Sequence, residues 1–178
     1  MANKFVSGIE EILQFYAVAL GKNYNSYRNH VYRVYHLSLL LAKKDFSKSE
    51  LQELAVASAF HDLGVWIHRT MDYLDSSIDM AQNHCENQGI DQTSVKLIIN
   101  HHHQFSIYSG QKKALVESFR RADLADLSFG IIRFGLPRKL YQNLKEEFPF
   151  LGFHQLIYKM VLQHALSHPT KPFPMIRK

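Results

Sequence analysis

Apolar side chains recur at helical spacing along almost the whole chain, and this pattern limits the possible folds more than any other feature. Residues three or four positions apart share one face of a helix, and a chain with this repeat buries that face in a helical core. No run of useful length alternates as a β-strand does, and no internal repeat is visible. We therefore predict an all-α fold, a single-domain helical bundle, with helices that begin or end near Ser7, Gly21, Tyr27, Ala42, Ser47, Asp75, Asn87, Leu115, Leu127, Arg138, Phe153 and Leu166.

Start and stop signals punctuate these segments. Ser7 with Glu10 and Ser47 with Glu50 have the spacing of capping boxes, which mark helix N-termini. A cap at Asp75-Ser76-Ser77 precedes a further helix that Gly89 ends, and Thr93 or Ser94 can cap the next one. Leu63-Gly64-Val65-Trp66 interrupts the pattern through its glycine, and prolines at 169, 172 and 174 predict an extended tail.

The length and composition fit one globular domain. A chain of 178 residues can bury a sizeable core, and its 46% hydrophobic and 21% charged residues are ordinary values. No apolar stretch is long enough to cross a membrane, and no secretory signal is visible at the N-terminus, so we expect a cytoplasmic protein without a membrane partner. The single cysteine, Cys85, excludes an internal disulfide and is interpreted as a small hydrophobic residue.

The charge of the chain favours anionic ligands in a general way. Its formal net charge is +5, with a pI near 9.3. The basic residues are scattered, and no long basic run interleaved with aromatic residues indicates a nucleic-acid polymer as partner. A small anionic substrate that carries phosphate is compatible with this surface, and so is a homodimer.

A His-Asp doublet follows the apolar run that ends at Phe60. His61 and Asp62 put an imidazole and a carboxylate side by side at the end of a buried helix, and this suits a divalent cation better than it suits a core. His30 and Asp123 lie in other helical segments, from which inward side chains can converge on one ion. Four such ligands leave coordination positions open for water and substrate, as in a catalytic site.

The ordered set of these residues resembles the HD-domain superfamily of metal-dependent phosphohydrolases. The resemblance begins at His30-Val31-Tyr32-Arg33-Val34, continues through His61-Asp62-Leu63-Gly64 and closes at Arg121-Ala122-Asp123. It implies an HD core over about 27–127, with a C-terminal helical extension and tail over about 137–178, in one domain spanning 1–178. It also implies one or two divalent metal ions, which can be Mn, Fe, Ni, Co, Mg or Zn, and hydrolysis of a small phosphate ester or nucleotide.

The resemblance leaves other reactions open. His84 and His101-His102 stand between the doublet and Asp123, in the order seen in HD proteins that hold two metals, which include di-iron oxygenases. No Gly-Tyr-Pro signature follows His102, which disfavours a cyclic-dinucleotide phosphodiesterase. The segment 117–126 is similar to cyanamide hydratases of the same superfamily. A non-catalytic domain that senses a nucleotide is the remaining alternative.

Individual roles follow from these arguments. Asp123 is preferred over Asp126 as the carboxylate ligand. Among the three consecutive histidines, His101 and His102 are preferred over His103, because successive helical residues point roughly 100° apart and cannot all face one site. The expected roles are catalysis by Asp62, His84 and His102, metal binding by His30, His61, Asp62, His84, His101, His102 and Asp123, and substrate binding by Arg33, Arg120 and Arg121. Tyr73 is assigned to the core.

Overall fold

The computed structural model describes residues 6–177, and within this range the chain forms ten α-helices and no strand. The predicted all-α class is therefore confirmed. None of these helices combines the length and the apolar character needed to cross a membrane. In chain order the helices are α1 Ser7–Phe15, α2 Ala17–Leu20, α3 Tyr24–Leu41, α4 Lys48–Phe60, α5 Leu63–His68, α6 Leu74–Gln88, α7 Gln92–His101, α8 Lys113–Leu127, α9 Arg138–Glu147 and α10 Phe153–Ser167, with a 3-10 turn at Gly21–Asn23.

Helix α4 lies at the centre of the bundle. It contacts α1, α3, α6 and α7, and every residue from Glu53 to Phe60 is buried. A helix that is apolar on all sides belongs in the interior, and the alanines of this one let its neighbours approach closely. The end of α4 therefore delivers His61 and Asp62 to the middle of the molecule, where both are buried.

Helices α3 and α8 make the most extensive contact between any two helices of the described range. Each carries two polar residues three positions apart, and this spacing puts both on one face of the helix. On α3 they are His30 and Arg33, and on α8 they are Asp123 and Asp126. All four are buried. A polar layer thus crosses the otherwise apolar interface between the two helices.

Two of the predicted helix boundaries are confirmed in atomic detail. At the start of α4, the Ser47 hydroxyl accepts from the Glu50 backbone N–H at 3.2 Å, and the Glu50 carboxylate accepts from the Ser47 backbone N–H at 2.9 Å. This is the reciprocal arrangement of a capping box. Gly89 ends α6 with a φ of 66°, a conformation that glycine adopts without strain.

The capping residues predicted for three other helices are wrong. Ser7 is the first residue of α1 instead of its cap, and no side chain caps that helix. Helix α6 begins at Leu74, ahead of the predicted Asp75-Ser76-Ser77 cap. Helix α7 is capped by Asp91, whose carboxylate accepts from the Thr93 backbone N–H at 2.9 Å. An aspartate two residues before the predicted caps competes well for the same role, because its side chain reaches the same free N–H groups.

Gly64 lies inside the short helix α5 instead of interrupting the helical pattern as predicted. A Cβ atom at this position would lie 2.6 Å from the Ser76 hydroxyl oxygen and 2.8 Å from the Tyr73 carbonyl oxygen. The missing side chain therefore permits the start of α6 to pack directly on α5. This contact holds Tyr73 beside the residues that follow α4.

The C-terminal tail is not simply extended. Residues beyond α10 turn back over the bundle, where Met175 is buried, and the Arg177 guanidinium donates to the Asn100 side-chain oxygen at 2.7 Å. Lys171 forms an ion pair with Asp72 at 2.7 Å. The tail thereby covers the region between α5, α7 and α10 and adds apolar side chains to one wall of the site described next.

Candidate metal centre

The structure brings together the four ligands expected from the His-Asp doublet and its partners. His30 comes from α3, His61 and Asp62 follow α4, and Asp123 comes from α8. The His30 Nε2 atom lies 3.0 Å from His61 Nε2, 3.6 Å from Asp62 Oδ2 and 3.7 Å from Asp123 Oδ1. All four residues are at most 4% exposed, so these polar atoms meet in the interior of the bundle.

The outer ring nitrogens of both histidines already have acceptors. His30 Nδ1 lies 2.8 Å from Asp126 Oδ2, and His61 Nδ1 lies 2.8 Å from the Ser58 carbonyl oxygen. A carbonyl or carboxylate oxygen can only accept, so each Nδ1 carries the hydrogen. In the neutral rings each Nε2 therefore presents a lone pair to the other imidazole and to the two carboxylates.

Lone pairs that face one another at this range need a cation or a proton between them. Both carboxylate oxygens of Asp123 are buried and have no hydrogen-bond partner in the described part of the chain. Ligands about 2.1 Å from a metal ion are about 3.0–4.2 Å apart, depending on the angle between them. The separations of 3.0–3.8 Å among these atoms fall in that range. The group made of His30, His61 and Asp123 thus has the donors and the spacing of a metal site.

A second group of possible ligands consists of Asp62, His102 and His103. His102 Nδ1 lies 2.7 Å from the Ile99 carbonyl oxygen and so carries a hydrogen, which leaves the Nε2 lone pair facing Asp62 Oδ1 at 3.4 Å. That Nε2 atom is buried and has no hydrogen-bond partner in residues 6–177. His103 Nδ1 lies 3.4 Å from Asp123 Oδ2 and connects the two groups.

Tyr73 is buried in the core, as predicted, and its side chain also contacts this second group. Its hydroxyl donates to Asp62 Oδ1 and lies 2.8 Å from His103 Nε2, from which it can accept. Burial, followed by the nearby Asp62 charge, raises the pKa of the Tyr73 phenol well above its ordinary value. The phenol therefore keeps its hydrogen at neutral pH and remains a donor to Asp62.

The protonation equilibria of the cluster reflect excess negative charge. Burial lowers the pKa of His61 to about 3, so this imidazole stays neutral. Burial also disfavours the charged form of His30, but its hydrogen bond to Asp126 and the Asp62 carboxylate 3.6 Å away prevail and raise the pKa of His30 to about 9. Burial raises the pKa of the Asp123 carboxyl, and the Asp62 charge adds to that effect. The protein by itself therefore retains protons here that a divalent cation would displace.

A cavity of about 210 Å³ opens onto the second group. Asp62, His102, His103 and Asp123 contribute its polar surface together with Tyr73. Apolar side chains from α5, the loop after it, α8, α10 and the tail form most of its remaining wall, namely Val65, Met71, Leu124, Leu127, Ile157, Val161, Phe173, Met175 and Ile176. The site can accommodate a small molecule with an apolar part beside the clustered imidazoles and carboxylates.

The three arginines predicted to bind substrate are paired with carboxylates of the protein. The Arg33 guanidinium is fully buried and makes two hydrogen bonds to the Asp126 carboxylate, at 2.6 and 2.9 Å, so it holds the partner of His30. Arg120 lines the cavity, but two of its nitrogens donate to Glu117 at 2.7 and 2.8 Å and the third donates to the Gln104 carbonyl oxygen. Arg121 also donates to Glu117, at 2.7 Å. The free guanidinium that we expected for phosphate is therefore not provided by these three residues.

His84 and His101 lie outside both groups. His84 is on α6, where its ring contacts Phe60 with a centroid distance of 5.6 Å and lines a different, surface pocket. His101 is the last residue of α7, and its Nδ1 lies 2.9 Å from the Gln104 side-chain oxygen. The expectation that these two histidines join the cluster is corrected by their positions, and His103 is found where His101 was expected.

Three residues that we had not assigned to the centre, Asp126, His103 and Tyr73, carried uneven sequence signals. Asp126 lies three positions after Asp123 on α8, and Arg33 lies three positions after His30 on α3. This matching spacing was a sign that the two pairs contact each other. His103 was adjacent to the assigned ligands but was set aside by an argument that assumed a continuing helix. Tyr73 lies in no motif, and its role depends on the packing of α6 against α5.

Comparisons of the chain with protein-family models, with curated proteins and with solved structures find no match.

Proposed function

We propose that this chain is a metal-dependent hydrolase of the HD type. The observation that carries the proposal is the convergence of the His30 and His61 Nε2 lone pairs with the Asp62 and Asp123 carboxylates at separations of 3.0–3.8 Å. These residues occur in the order that gave the resemblance to HD domains, and they lie on helices or directly after the end of one in an all-helical fold. The adjoining cavity supplies room for a substrate.

A divalent cation bound here would lower the pKa of a coordinated water and stabilise negative charge on the substrate. The remaining chemistry belongs to the protein. Asp62 directs Oδ2 toward the two histidines while Tyr73 holds its Oδ1, so the carboxylate keeps one orientation. His102 presents an unpartnered Nε2 at the cavity, and in its protonated form this nitrogen can donate a proton to a leaving group. His84 belongs to neither group and lines a different pocket, so the catalytic role first assigned to it is not part of this proposal.

The favoured substrate is a small phosphate ester with an apolar leaving group. The cavity of about 210 Å³ is at the small end for ligand sites, and its wall is mostly apolar. Because Arg33, Arg120 and Arg121 are paired with carboxylates, the phosphoryl charge must be met by the cation and by His102 or His103. This disfavours highly charged nucleoside triphosphates among the phosphate esters.

Hydration of a small neutral molecule of the nitrile type is the second candidate. The same apolar wall and the same engagement of the arginines favour it, since a neutral substrate needs no guanidinium. A di-iron oxygenase is less well supported, because His84 and His101 were expected among the ligands of a two-metal site and both lie outside the cluster.

Elemental analysis of the freshly purified protein, combined with activity assays, tests these proposals. We expect a stoichiometric divalent metal and release of phosphate from small aryl or alkyl phosphates. Chelation should abolish that release, and re-addition of the same metal should restore it. Metal without turnover of any phosphate ester, but with hydration of a nitrile, would select the second candidate. Two irons per chain with an oxygen-dependent product would select the oxygenase. Nucleotide binding without turnover would indicate a sensor, and absence of any bound metal would contradict the hydrolase.

A further inference from the structure

The Tyr73 hydroxyl forms hydrogen bonds with two of the ligand atoms that a second metal ion would need. It donates to Asp62 Oδ1 and lies 2.8 Å from His103 Nε2. Asp62 Oδ1 is also the oxygen that faces His102 Nε2, at 3.4 Å. One phenol group thus engages two members of the second group, whereas the buried His102 Nε2 has no hydrogen-bond partner in the described residues.

The first group differs in this respect. His30 Nε2, His61 Nε2 and the Asp123 carboxylate converge without any hydroxyl or amide donor between them in the described range. These atoms are hydrogen-bond acceptors, or they share a proton with one another. A bound cation would therefore stabilise all of them at once. In the second group the same need is met by the hydrogen of Tyr73 and by the ring N–H of His103.

The position of Tyr73 is held by its backbone as well as by its ring. The Tyr73 carbonyl oxygen accepts from the Ser77 backbone N–H at 2.9 Å and from the Ser76 hydroxyl at 2.8 Å. It also lies against Gly64, where only the absence of a Cβ leaves room for it. The ring is 1% exposed, so the hydroxyl is fixed by packing beside Asp62.

We propose that Tyr73 determines the metal stoichiometry of the site, limiting it to one ion bound by His30, His61, Asp62 and Asp123. The proposal rests on the proposed metal-dependent function, and it adds which of the two groups holds metal. With the second position closed, His102 Nε2 stays available to the substrate in the cavity instead of serving as a ligand. Tyr73 thereby acts as a positioning residue that keeps the second group for substrate contact.

Metal titration of Tyr73→Phe tests the proposal. The metal-free protein is titrated with Mn²⁺ alone, and bound ions per chain are counted by calorimetry and by elemental analysis after desalting. We expect one ion in the wild-type chain and a second, weaker ion in Tyr73→Phe, because removal of the hydroxyl frees Asp62 Oδ1 and His103 Nε2. The matched control is Tyr27→Phe, which removes a buried phenol that donates to the Ala59 carbonyl oxygen at 2.8 Å, and it should bind one ion.

A double variant locates the second ion. Tyr73→Phe combined with His102→Ala should return to one ion, because it lacks a ligand of the second group only. Two ions in the wild-type chain, or one ion in correctly folded Tyr73→Phe, would overturn the proposal, and circular dichroism establishes the folding. The wild-type count tests the proposal even where a variant does not fold. A wild-type chain that binds no Mn²⁺ or other divalent ion would contradict the proposed function itself. This result differs from both two ions in the wild-type chain and one ion in Tyr73→Phe.

Discussion

The two halves of the cluster solve the problem of buried polar groups in different ways. In the half formed by His30, His61 and Asp123, each imidazole has its outer nitrogen satisfied, and its inner nitrogen faces the other imidazole and the Asp123 carboxylate. In the half formed by Asp62, His102 and His103, a tyrosine hydroxyl and a ring N–H satisfy part of the group, and the cavity begins there. We propose that the first half holds a cation and that the second half contacts a substrate.

The largest effect is expected from removing a ligand in the first half. His61→Ala should weaken metal binding by more than about 100-fold, because even the loss of an outer hydrogen-bond partner costs about 10–100-fold. Activity should be lost with the metal. Elemental analysis and phosphate release measure both, and His68→Ala, which changes an exposed histidine at the end of α5, is the control. Full metal content in His61→Ala would eliminate the distinction between the halves.

Removing the outer partner of His30 should have the next largest effect. Asp126→Asn keeps the shape of the side chain but removes the charge that orients the His30 ring and pairs with Arg33. We expect a loss of about 10–100-fold in metal affinity. Thermal unfolding in excess metal separates this loss from destabilisation, since saturating ligand restores the bound state. An unchanged affinity would show that the Asp126 charge is not needed to orient His30.

A smaller effect is expected from replacing Glu117, which supports the second half together with Arg120. Arg120 also donates to the carbonyl oxygen of Gln104, directly after His103. Although burial opposes it, pairing with Arg120 lowers the pKa of Glu117 to about 2, below its ordinary 4.5. A carboxyl with a lowered pKa stabilises the fold above its unfolded pKa, and that stabilisation is lost as the pH falls from about 4.5 towards 2.

Chemical denaturation of the wild-type chain and of Glu117→Gln over this pH range checks the expectation. At neutral pH the variant should be less stable by about 1.5–3 kcal/mol, the usual contribution of hydrogen bonds to a charged group. The difference should shrink below pH 4.5, because the wild-type carboxyl then becomes neutral as well. A difference that does not depend on pH would mean that the carboxylate charge contributes nothing to this support.

The smallest effect is expected for His84→Ala. His84 contacts Phe60 on the side of α4 that faces a surface pocket, away from both groups. Metal content should be unchanged, and turnover should remain within about 2-fold of the wild-type value, as for substitutions remote from a site. A substantial loss of metal would mean that His84 belongs to the centre, as the sequence order first suggested.

Helical periodicity and the His-Asp doublet were enough to predict the class of the fold and four converging residues. His30, His61, Asp62 and Asp123 lie well inside or directly at the end of long, strongly patterned helices, where a residue's direction follows from its position. The same argument failed for the three consecutive histidines. Helix α7 ends at His101, and the next two residues lie in a turn, so the 100° step no longer describes where their rings point.

The remaining differences come from contacts between elements that are distant in sequence. Arg33 looked available for phosphate because its partner Asp126 is 93 residues away and is reached only when α3 packs on α8. The tail from 168 to 177 carried only proline signals, yet Phe173, Met175 and Ile176 form part of the cavity wall. Such long-range pairings are set by tertiary packing, on which local patterns carry little information.

The acceptors that orient the histidines have a consequence for how substitutions can act on this centre. Ser58 and Ile99 accept through main-chain carbonyl oxygens, which stay in place whatever side chain a substitution introduces there. His61 and His102 therefore keep their tautomers through sequence drift around them. His30 is the exception of the three, because its acceptor is the Asp126 side chain, and a single codon change can remove it. The vulnerability of the centre to mutation is thus concentrated on the interface between α3 and α8.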